Sequence, residues 1–380
     1  SSVTTSSQSG DISGTISGGT VSVTANAGDL TVKSDAEINA TEGAATLTAS
    51  SGKLTTQTGS TISGASSVTT SSQSGDISGT ISGDTVSVST SGGLTTQSNS
   101  KIEAKTGEAN VTGATSTIGG TVSGKTVNVT ASSGGLTVGG GARIKATEGA
   151  ATLNAIGNTL TTQSGSDITS LSGQASLSAH NGDIAGNINA ANVTLNITGN
   201  LTTATGSNIK AIKGTLVVDA KDAKLDGAAL GNHTVVNVTN ASGSGRVIAT
   251  TSSRVNITGD LNTINGLNII SENGRNTVRL RGKEIEVKYI QPGIASVNEV
   301  IEAKRVLEKV KDLSDEEREA LAKLGVSAVR FVEPNNAITV DAQNEFATRP
   351  LSRIVISEGR ACFSNSDGAT VCVNIADNGR

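Results

Sequence analysis

Covalent chemistry has few places to reside in this sequence. Cys362 and Cys372 are its only thiols, and both lie in the last 19 of 380 residues. Nine residues separate them and no His is near, so they fit neither a Cys-x-x-Cys redox site nor a zinc site. Two readings stay open for the pair: a disulfide, or two buried free thiols. The two histidines, His180 and His233, sit in turn-like segments far apart in the chain. Neither has a matched Ser/Asp or Cys arrangement, so both read as solvated rather than catalytic. Residues 119–126, Gly-Gly-Thr-Val-Ser-Gly-Lys-Thr, match the phosphate-loop pattern GxxxxGKT. Alternating strand sequence follows Lys125 where a phosphate loop needs a helix N-terminus, and sister segments at 14–20 and 79–85 lack the Lys. The match is therefore rejected. Carboxylates are scattered, and no aromatic precedes Tyr289 to stack on a sugar, which argues against a polysaccharide lyase or hydrolase. No Gly-Gly-x-Gly-x-Asp series exists to bind calcium. The expectation is a non-enzyme with no cofactor and no metal.

One motif could accept a covalent modification. Asn-x-Ser/Thr occurs ten times, at Asn39, Asn110, Asn128, Asn192, Asn196, Asn200, Asn232, Asn237, Asn240 and Asn256. A chain rich in Asn, Ser and Thr produces such triplets by chance, and stacked Asn also stabilises solenoids. Asn128, Asn196, Asn237 and Asn256 sit between apolar neighbours. If those neighbours point inward, the Asn faces solvent.

The elements that must carry these residues divide in two by composition. Residues 1–288 contain no aromatic, no Pro and no Cys. The remainder holds all four aromatics (Tyr289, Phe331, Phe346, Phe363), all three Pro and both Cys. It also holds 25 of the 62 charged residues in less than a quarter of the chain. The change falls at Tyr289-Ile290-Gln291-Pro292-Gly293, read as a boundary between architectures. Net charge is -4, with no basic patch and no interleaved aromatics, so nucleic acid is not expected as a partner. No apolar run is long enough for a membrane-spanning helix. Met is absent, even at position 1, which suggests a fragment or a processed chain.

The first region is repetitive. Residues 66–88 repeat 1–23 with one change, Asp84 for Gly19. Leu followed eight positions later by Ile recurs at Leu30/Ile38, Leu54/Ile62, Leu94/Ile102, Leu136/Ile144, Leu160/Ile168, Leu201/Ile209 and Leu261/Ile269. The steps between these Leu residues are near multiples of about 20 residues, a period that marks a repeat architecture. Within each unit apolar and polar residues alternate, as in Thr126-Val127-Asn128-Val129, and β-branched residues dominate. Gly, Asn, Asp and Ser punctuate the alternation as turns. Short strands, tight turns and no amphipathic helix predict a right-handed parallel β-helix solenoid of coils of about 20 residues over residues 1–288.

Residues 289–325 read as a linker and an αα-hairpin over 297–324. Ser296-Val297-Asn298-Glu299 and Ser314-Asp315-Glu316-Glu317 have capping-box spacing, and Gly325 fits a helix stop. The hairpin reads as a cap or spacer, or alternatively as a docking element for a transport partner. Residues 326–380 read as a small β-module with strands at 328–332, 338–340, 353–356, 361–363 and 371–373. A Ser366-Asp367-Gly368 turn would place Cys362 opposite Cys372, where disulfide geometry can be met.

Three segments carry a family resemblance. Residues 326–336 (Val-Ser-Ala-Val-Arg-Phe-Val-Glu-Pro-Asn-Asn), 357–363 (Ser-Glu-Gly-Arg-Ala-Cys-Phe) and 371–377 (Val-Cys-Val-Asn-Ile-Ala-Asp) resemble the C-terminal end of the high-molecular-weight adhesins of nontypeable Haemophilus influenzae. The Ser/Thr/Gly repeat tract upstream is similar to theirs in composition. The resemblance implies a two-partner secretion exoprotein on the bacterial surface. Its partner would be an outer-membrane β-barrel transporter. Cys362 and Cys372 would close the disulfide loop that stays in the periplasm and tethers the adhesin. A cytoplasmic N-glycosyltransferase would place single hexoses on Asn-x-Ser/Thr. A host epithelial glycan receptor would be met through an upstream region that this sequence lacks, as it lacks the family's N-terminal secretion domain. The resemblance thus implies a membrane-proximal stalk plus anchor that supports adhesion. The alternative from another class is a glycan-binding module in which the solenoid surface itself contacts host receptors. A secreted toxin of the same export system would need a catalytic C-terminal domain, for which the last 55 or so residues are short.

Overall fold

The computed structural model describes residues 1–258, and beyond them residues 267–271, 275–280, 283–289, 315, 326–332, 337–338, 353–357, 360–364 and 370–374. The chain divides into two compact units, Ser1–Ile197 and Thr198–Arg380. Apart from Asp315, every regular element among the described residues is a strand. The predicted helical hairpin over 297–324, Asp315 excepted, and the turn over 366–368 lie outside the described residues.

The first unit is a parallel β-solenoid, as its period-two alternation requires. Three strand columns run along it, and each strand pairs in parallel with its counterparts in adjacent coils. In one column Ile38, Ile62, Ile81, Ile102, Val122, Ile144, Ile168 and Ile188 stand in continuous register, all buried. In a second, Val21, Ala45, Val68, Val86, Ala109, Val127, Ala151, Ala175 and Val193 do the same. Coils at the interstrand distance of about 4.8 Å put like side chains in van der Waals contact. A thin core of Ile, Val, Leu and Ala is therefore filled without one aromatic. The polar residues between them face out, and Ser, Thr and Asn form the surface columns.

The coils are not uniform, and their corners explain why. Leu30 pairs with Leu54, 24 residues on, whereas Gly75 pairs with Leu94, 19 residues on. Two corner lengths occur between the third column, that of Leu30, Leu54 and Leu94, and the column of Ile38. Long corners separate Val32 from Ile38, Thr56 from Ile62, Thr96 from Ile102, Val138 from Ile144 and Thr162 from Ile168. Short ones separate Ile12 from Ile16, Ile77 from Ile81, Ile118 from Val122 and Ile184 from Ile188. In four of the five long corners the third residue after the strand turns left-handed: Asp35, Gly59, Gly141 and Gly165 have φ of 60, 87, 87 and 85°. That conformation is cheap for Gly and tolerated by Asp.

A long corner followed by another long one has Val and Ala inside, at Val32/Ala36 and Val138/Ala142. A long corner followed by a short one has Thr and Ser there, at Thr56/Ser60, Thr96/Ser100 and Thr162/Ser166, all buried. The short corner turns backbone N–H groups toward the coil before it: the first donates to the Thr carbonyl, as Ser78 does to Thr56 at 2.9 Å and Ala185 to Thr162 at 2.8 Å, and the next meets the Thr hydroxyl. Thr56 Oγ1 accepts from the N–H of Ser78 and Gly79 at 3.1 and 3.2 Å. Thr162 Oγ1 accepts from Ala185 and Gly186, both at 3.2 Å, and Thr96 Oγ1 from Gly119 at 3.1 Å. The Ser hydroxyls fold back onto Gln57, Gln97 and Gln163 carbonyls at 2.6 to 2.7 Å. The approach is so close that a Cβ on Gly186 would stand 2.0 Å from Ser166 Oγ, which is why the short corner carries Gly there. Asn99 Nδ2 also donates to Thr58 Oγ1 at 2.9 Å, linking two long corners across the short one between them.

The second unit begins with the same parallel stacking. Asn200–Thr203, Thr215–Leu225, Ala228–Ser242 and Arg246–Ile257 pair in parallel, and Leu267–Ser271 and Arg275–Leu280 continue from Arg246–Ile257. The corner rule holds here too: Thr203 Oγ1 accepts from the N–H of Gly227 at 3.2 Å. The pairing then reverses. Lys283–Tyr289 pairs antiparallel with Arg275–Leu280, and Val326–Val332 pairs antiparallel with Lys283–Tyr289. Arg353–Ser357 pairs antiparallel with Leu267–Ser271, followed in the same sense by Arg360–Ser364 and Thr370–Asn374. Antiparallel strands thus take up the edges of Leu267–Ser271 and Arg275–Leu280, the last two parallel strands among the described residues.

Candidate functional site

The two thiols lie on the last two described strands. Arg360–Ser364 and Thr370–Asn374 pair with Cys362 directly opposite Cys372, between Ala361/Val373 and Phe363/Val371. Directly opposed residues of an antiparallel pair have Cα atoms about 4.5–5.5 Å apart, within the range that a disulfide spans. The register is the one the sequence spacing predicts. Its neighbour Arg353–Ser357 places Val355 opposite Cys362 on the other side.

The ten asparagines occupy outward positions of the solenoid, and their surroundings differ. Asn128 and Asn237 lie between buried valines, and Asn196 between the buried Leu195 and Ile197. In the first unit Asn192 and Asn196 are exposed, while Asn39, Asn110 and Asn128 are half-buried. Asn110 and Asn128 are register partners, and Asn128 Nδ2 donates to Asn110 Oδ1 at 2.9 Å and also to Glu108 Oε1. Asn39 Oδ1 accepts from Ser63 Oγ at 3.0 Å. In the second unit Asn200 is exposed, and Asn232, Asn237, Asn240 and Asn256 are half-buried. Asn237 Nδ2 donates to Asp219 Oδ1 at 2.7 Å, and Asn240 Nδ2 to Asp222 Oδ1 at 2.5 Å. Asn232 Nδ2 donates to the Lys213 carbonyl at 2.8 Å. Asn256, in register with Asn237, has a buried Oδ1 that meets no donor. Asn192, Asn196 and Asn200 thus stand exposed, while Asn39, Asn110, Asn128, Asn232, Asn237 and Asn240 hold cross-coil hydrogen bonds.

Sequence reasoning missed a surface concavity of the second unit. Asn200, Asp222 and Asn240 are consecutive partners on three coils. With Thr202, Lys224 and Ser242 they border a shallow hollow of about 370 Å³. The buried Leu201, Ala223 and Ala241 lie behind it. Beside it Lys224 Nζ lies 3.3 Å from Asp226 Oδ2. The Asp226 carboxyl is held below its ordinary pKa, first by the N–H of Ser244 at 2.9 Å and then by Lys224. Asn200 to Asp222 is 22 residues and Asp222 to Asn240 is 18, so the uneven coil lengths conceal the alignment.

The remaining residues singled out above do not assemble a centre. Lys125 lies between the strands Thr121–Gly124 and Thr126–Ala131, with its ammonium 2.7 Å from Glu148 Oε2. No helix follows it, so no phosphate site forms. His180 and His233 are exposed, but neither sits in a turn: His180 lies within Asp167–Ile184 and His233 within Ala228–Ser242. The solenoid passes these corners as bulged extended chain, which the polar punctuation disguised. His233 Nδ1 is 2.7 Å from Ser252 Oγ. Among the described residues no three His, Cys, Asp or Glu converge.

Comparison with protein-family models, with curated proteins and with solved structures finds no match for the chain.

Proposed function

We propose that this chain is the membrane-proximal part of a secreted bacterial surface adhesin. Its solenoid is a stalk, and its C-terminal strands are an anchor closed by a Cys362–Cys372 disulfide. The observation that carries the reading is the opposition of the only two thiols on the last antiparallel pair. A chain threading extended through a narrow β-barrel transporter passes easily when its side chains are small. A cross-linked hairpin does not pass. Disulfides form in the oxidising periplasm, so thiols placed last close a loop after the rest has been exported. Thiols earlier in the chain would stall transport. The segments at 326–336, 357–363 and 371–377 support the same reading through their likeness to the high-molecular-weight adhesins. In this account the helical hairpin spaces stalk from anchor, a two-partner β-barrel is the export partner, and a cytoplasmic N-glycosyltransferase modifies Asn-x-Ser/Thr motifs before export. Receptor binding lies upstream.

The test is the partition of the adhesin between cells and medium. Bacteria exporting the protein with Cys362→Ser or Cys372→Ser are compared with the unmodified strain. Release of either variant into the medium is expected. Full retention of both would reduce the pair to a brace and remove the anchor from the account.

A further inference from the structure

One coil of the first unit breaks the rule that fills its core. In the column of Val21 and Val68, the inward residue two places further on is Val or Leu in the other covered coils, from Val23 and Leu47 through Val88 and Val129 to Leu195. Between Leu47 and Val88 it is Thr70, which is 1% exposed and whose Oγ1 meets no hydrogen-bond partner. A hydroxyl left unpaired in an apolar stack weakens the coil that holds it. Ser72 then points inward where Ala25 and Ala49 stand in the preceding coils. Residues 66–88 repeat 1–23, and in the first coil Val3 is half-buried while Thr5 and Ser7 are exposed. The same triad thus stands once sealed and once wet, and water reaches the Thr hydroxyl only in the second setting.

The junction of this coil with the one before it is fastened unevenly. The ladder between Ala44–Thr56 and Thr61–Ile77 shifts register between Ala49 and Lys53, which separates the pairing of 44–49 with 67–72 from that of 53–56 with 74–77. On the far side of that shift the ties accumulate. Lys53 Nζ lies 3.4 Å from Asp76 Oδ2, and Asp76 Oδ1 accepts from Gln97 Nε2 of the following coil at 2.8 Å. Thr56 holds the N–H groups of Ser78 and Gly79, the Ser60 carbonyl holds that of Thr80 at 2.9 Å, and Asn99 reaches across the coil to Thr58. On the near side Leu47 is set against Thr70 and Ala49 against Ser72, so apolar groups meet hydroxyls. We propose that the solenoid opens at this junction: strand segments 44–49 and 67–72 part, and the corners at 56–62 and 77–81 stay closed as the hinge. Opening admits water to Thr70 Oγ1, the setting that its counterpart Thr5 already has. Local openings of this kind draw on the least stable contacts of a fold while the rest stays shut. The inference concerns the solenoid alone and does not depend on the export and anchor reading.

Amide hydrogen exchange of the full chain, read by mass spectrometry on overlapping fragments, tests it. Amides of 67–72 should exchange about tenfold or more faster than those of Thr126–Ala131, a strand of the same column with Val129 at the matching place, whereas 75–81 should exchange as slowly as that strand. Thr70→Val keeps the shape of the side chain and removes the unpaired hydroxyl, so it should slow exchange in 67–72 several-fold and leave Thr126–Ala131 unchanged. Thr46 and Thr69 are register partners on the outward face across the junction, at a separation a disulfide can span. The double variant Thr46→Cys, Thr69→Cys should therefore lose the fast exchange when oxidised and regain it on reduction. Equal exchange in 67–72 and Thr126–Ala131 would overturn the opening. Fast exchange running on through 75–81 would overturn the hinge. Fast exchange that persists in Thr70→Val or across the closed cross-link would overturn the assignment to this junction.

Discussion

The parallel coils and the antiparallel strands that follow them solve the problem of burial in opposite ways. In the solenoid each coil is covered by the next, so Ile, Val and Ala at matching positions suffice, and the same short pattern can be written many times. The only variable parts are the corners, where a change of length exposes backbone N–H groups that a buried Thr must satisfy. Beyond Leu280 the chain folds back on itself, and pairing reverses at Lys283–Tyr289. There the sequence abandons its small-residue economy: Tyr289, Phe331, Phe363 and both Cys lie on these antiparallel strands. Repetition makes a long element from small contacts, whereas ending it takes residues that are not repeated.

The largest effect should come from the stacked core. Ile102, fully buried between Ile81 and Val122, should cost about 2–5 kcal/mol on replacement by Ala, because rigid neighbouring coils cannot collapse into the space. Denaturant melts of the variant would measure it, and a near-zero effect would break the picture of a tightly stacked column. Next is the thiol pair. If Cys362 and Cys372 are joined, reduction should lower the stability of the antiparallel strands by about 3 kcal/mol through the entropy of so small a loop. The solenoid should be untouched, so amide exchange should quicken in Arg360–Ser364 and Thr370–Asn374 and stay constant in Thr126–Ala131.

The corner rule gives a smaller, sharper contrast. Thr162→Val strands the buried N–H of Gly186, while that of Ala185 keeps the Thr162 carbonyl at 2.8 Å, and should destabilise by about 1–3 kcal/mol. The neighbouring coil already has Val at the same place, Val138, at no such cost, because the corner after it is long. Equal stability of Thr162→Val and the parent would show that the hydroxyl is incidental. The smallest effect concerns acid. Asp226 is held below its ordinary value, so its contribution is present above about pH 4, where the unfolded carboxyl is ionised. That contribution is lost as pH falls through the lower folded value. Asp226→Asn should therefore flatten the acid limb of the melting curve slightly without changing stability at neutral pH by as much as the other variants.

Much of this was legible in the residues. Alternation such as Thr126-Val127-Asn128-Val129 dictates a half-buried strand, and the Leu-to-Ile spacing of eight marks each long corner. The spacing of the two Cys around Ser366-Asp367-Gly368 gives their register. The corner rule was present but unreadable, since whether position 56 or 138 needs a hydroxyl depends on the length of a corner in the next coil. His180 and His233 were misplaced for a related reason: Asn and Gly beside them promise turns, yet the chain stays extended through bulges such as that between Gly231 and His233. The hollow beside Asn200 needs three coils of different length to be aligned before it exists.

The anchor reading turns on the state of two sulfur atoms. The most direct measurement is intact mass of the cell-retained protein, denatured and alkylated without reductant. The account predicts no alkyl adduct, and two adducts after reduction. Two adducts without reduction would mean free thiols, and the anchor would have to be sought elsewhere in the chain.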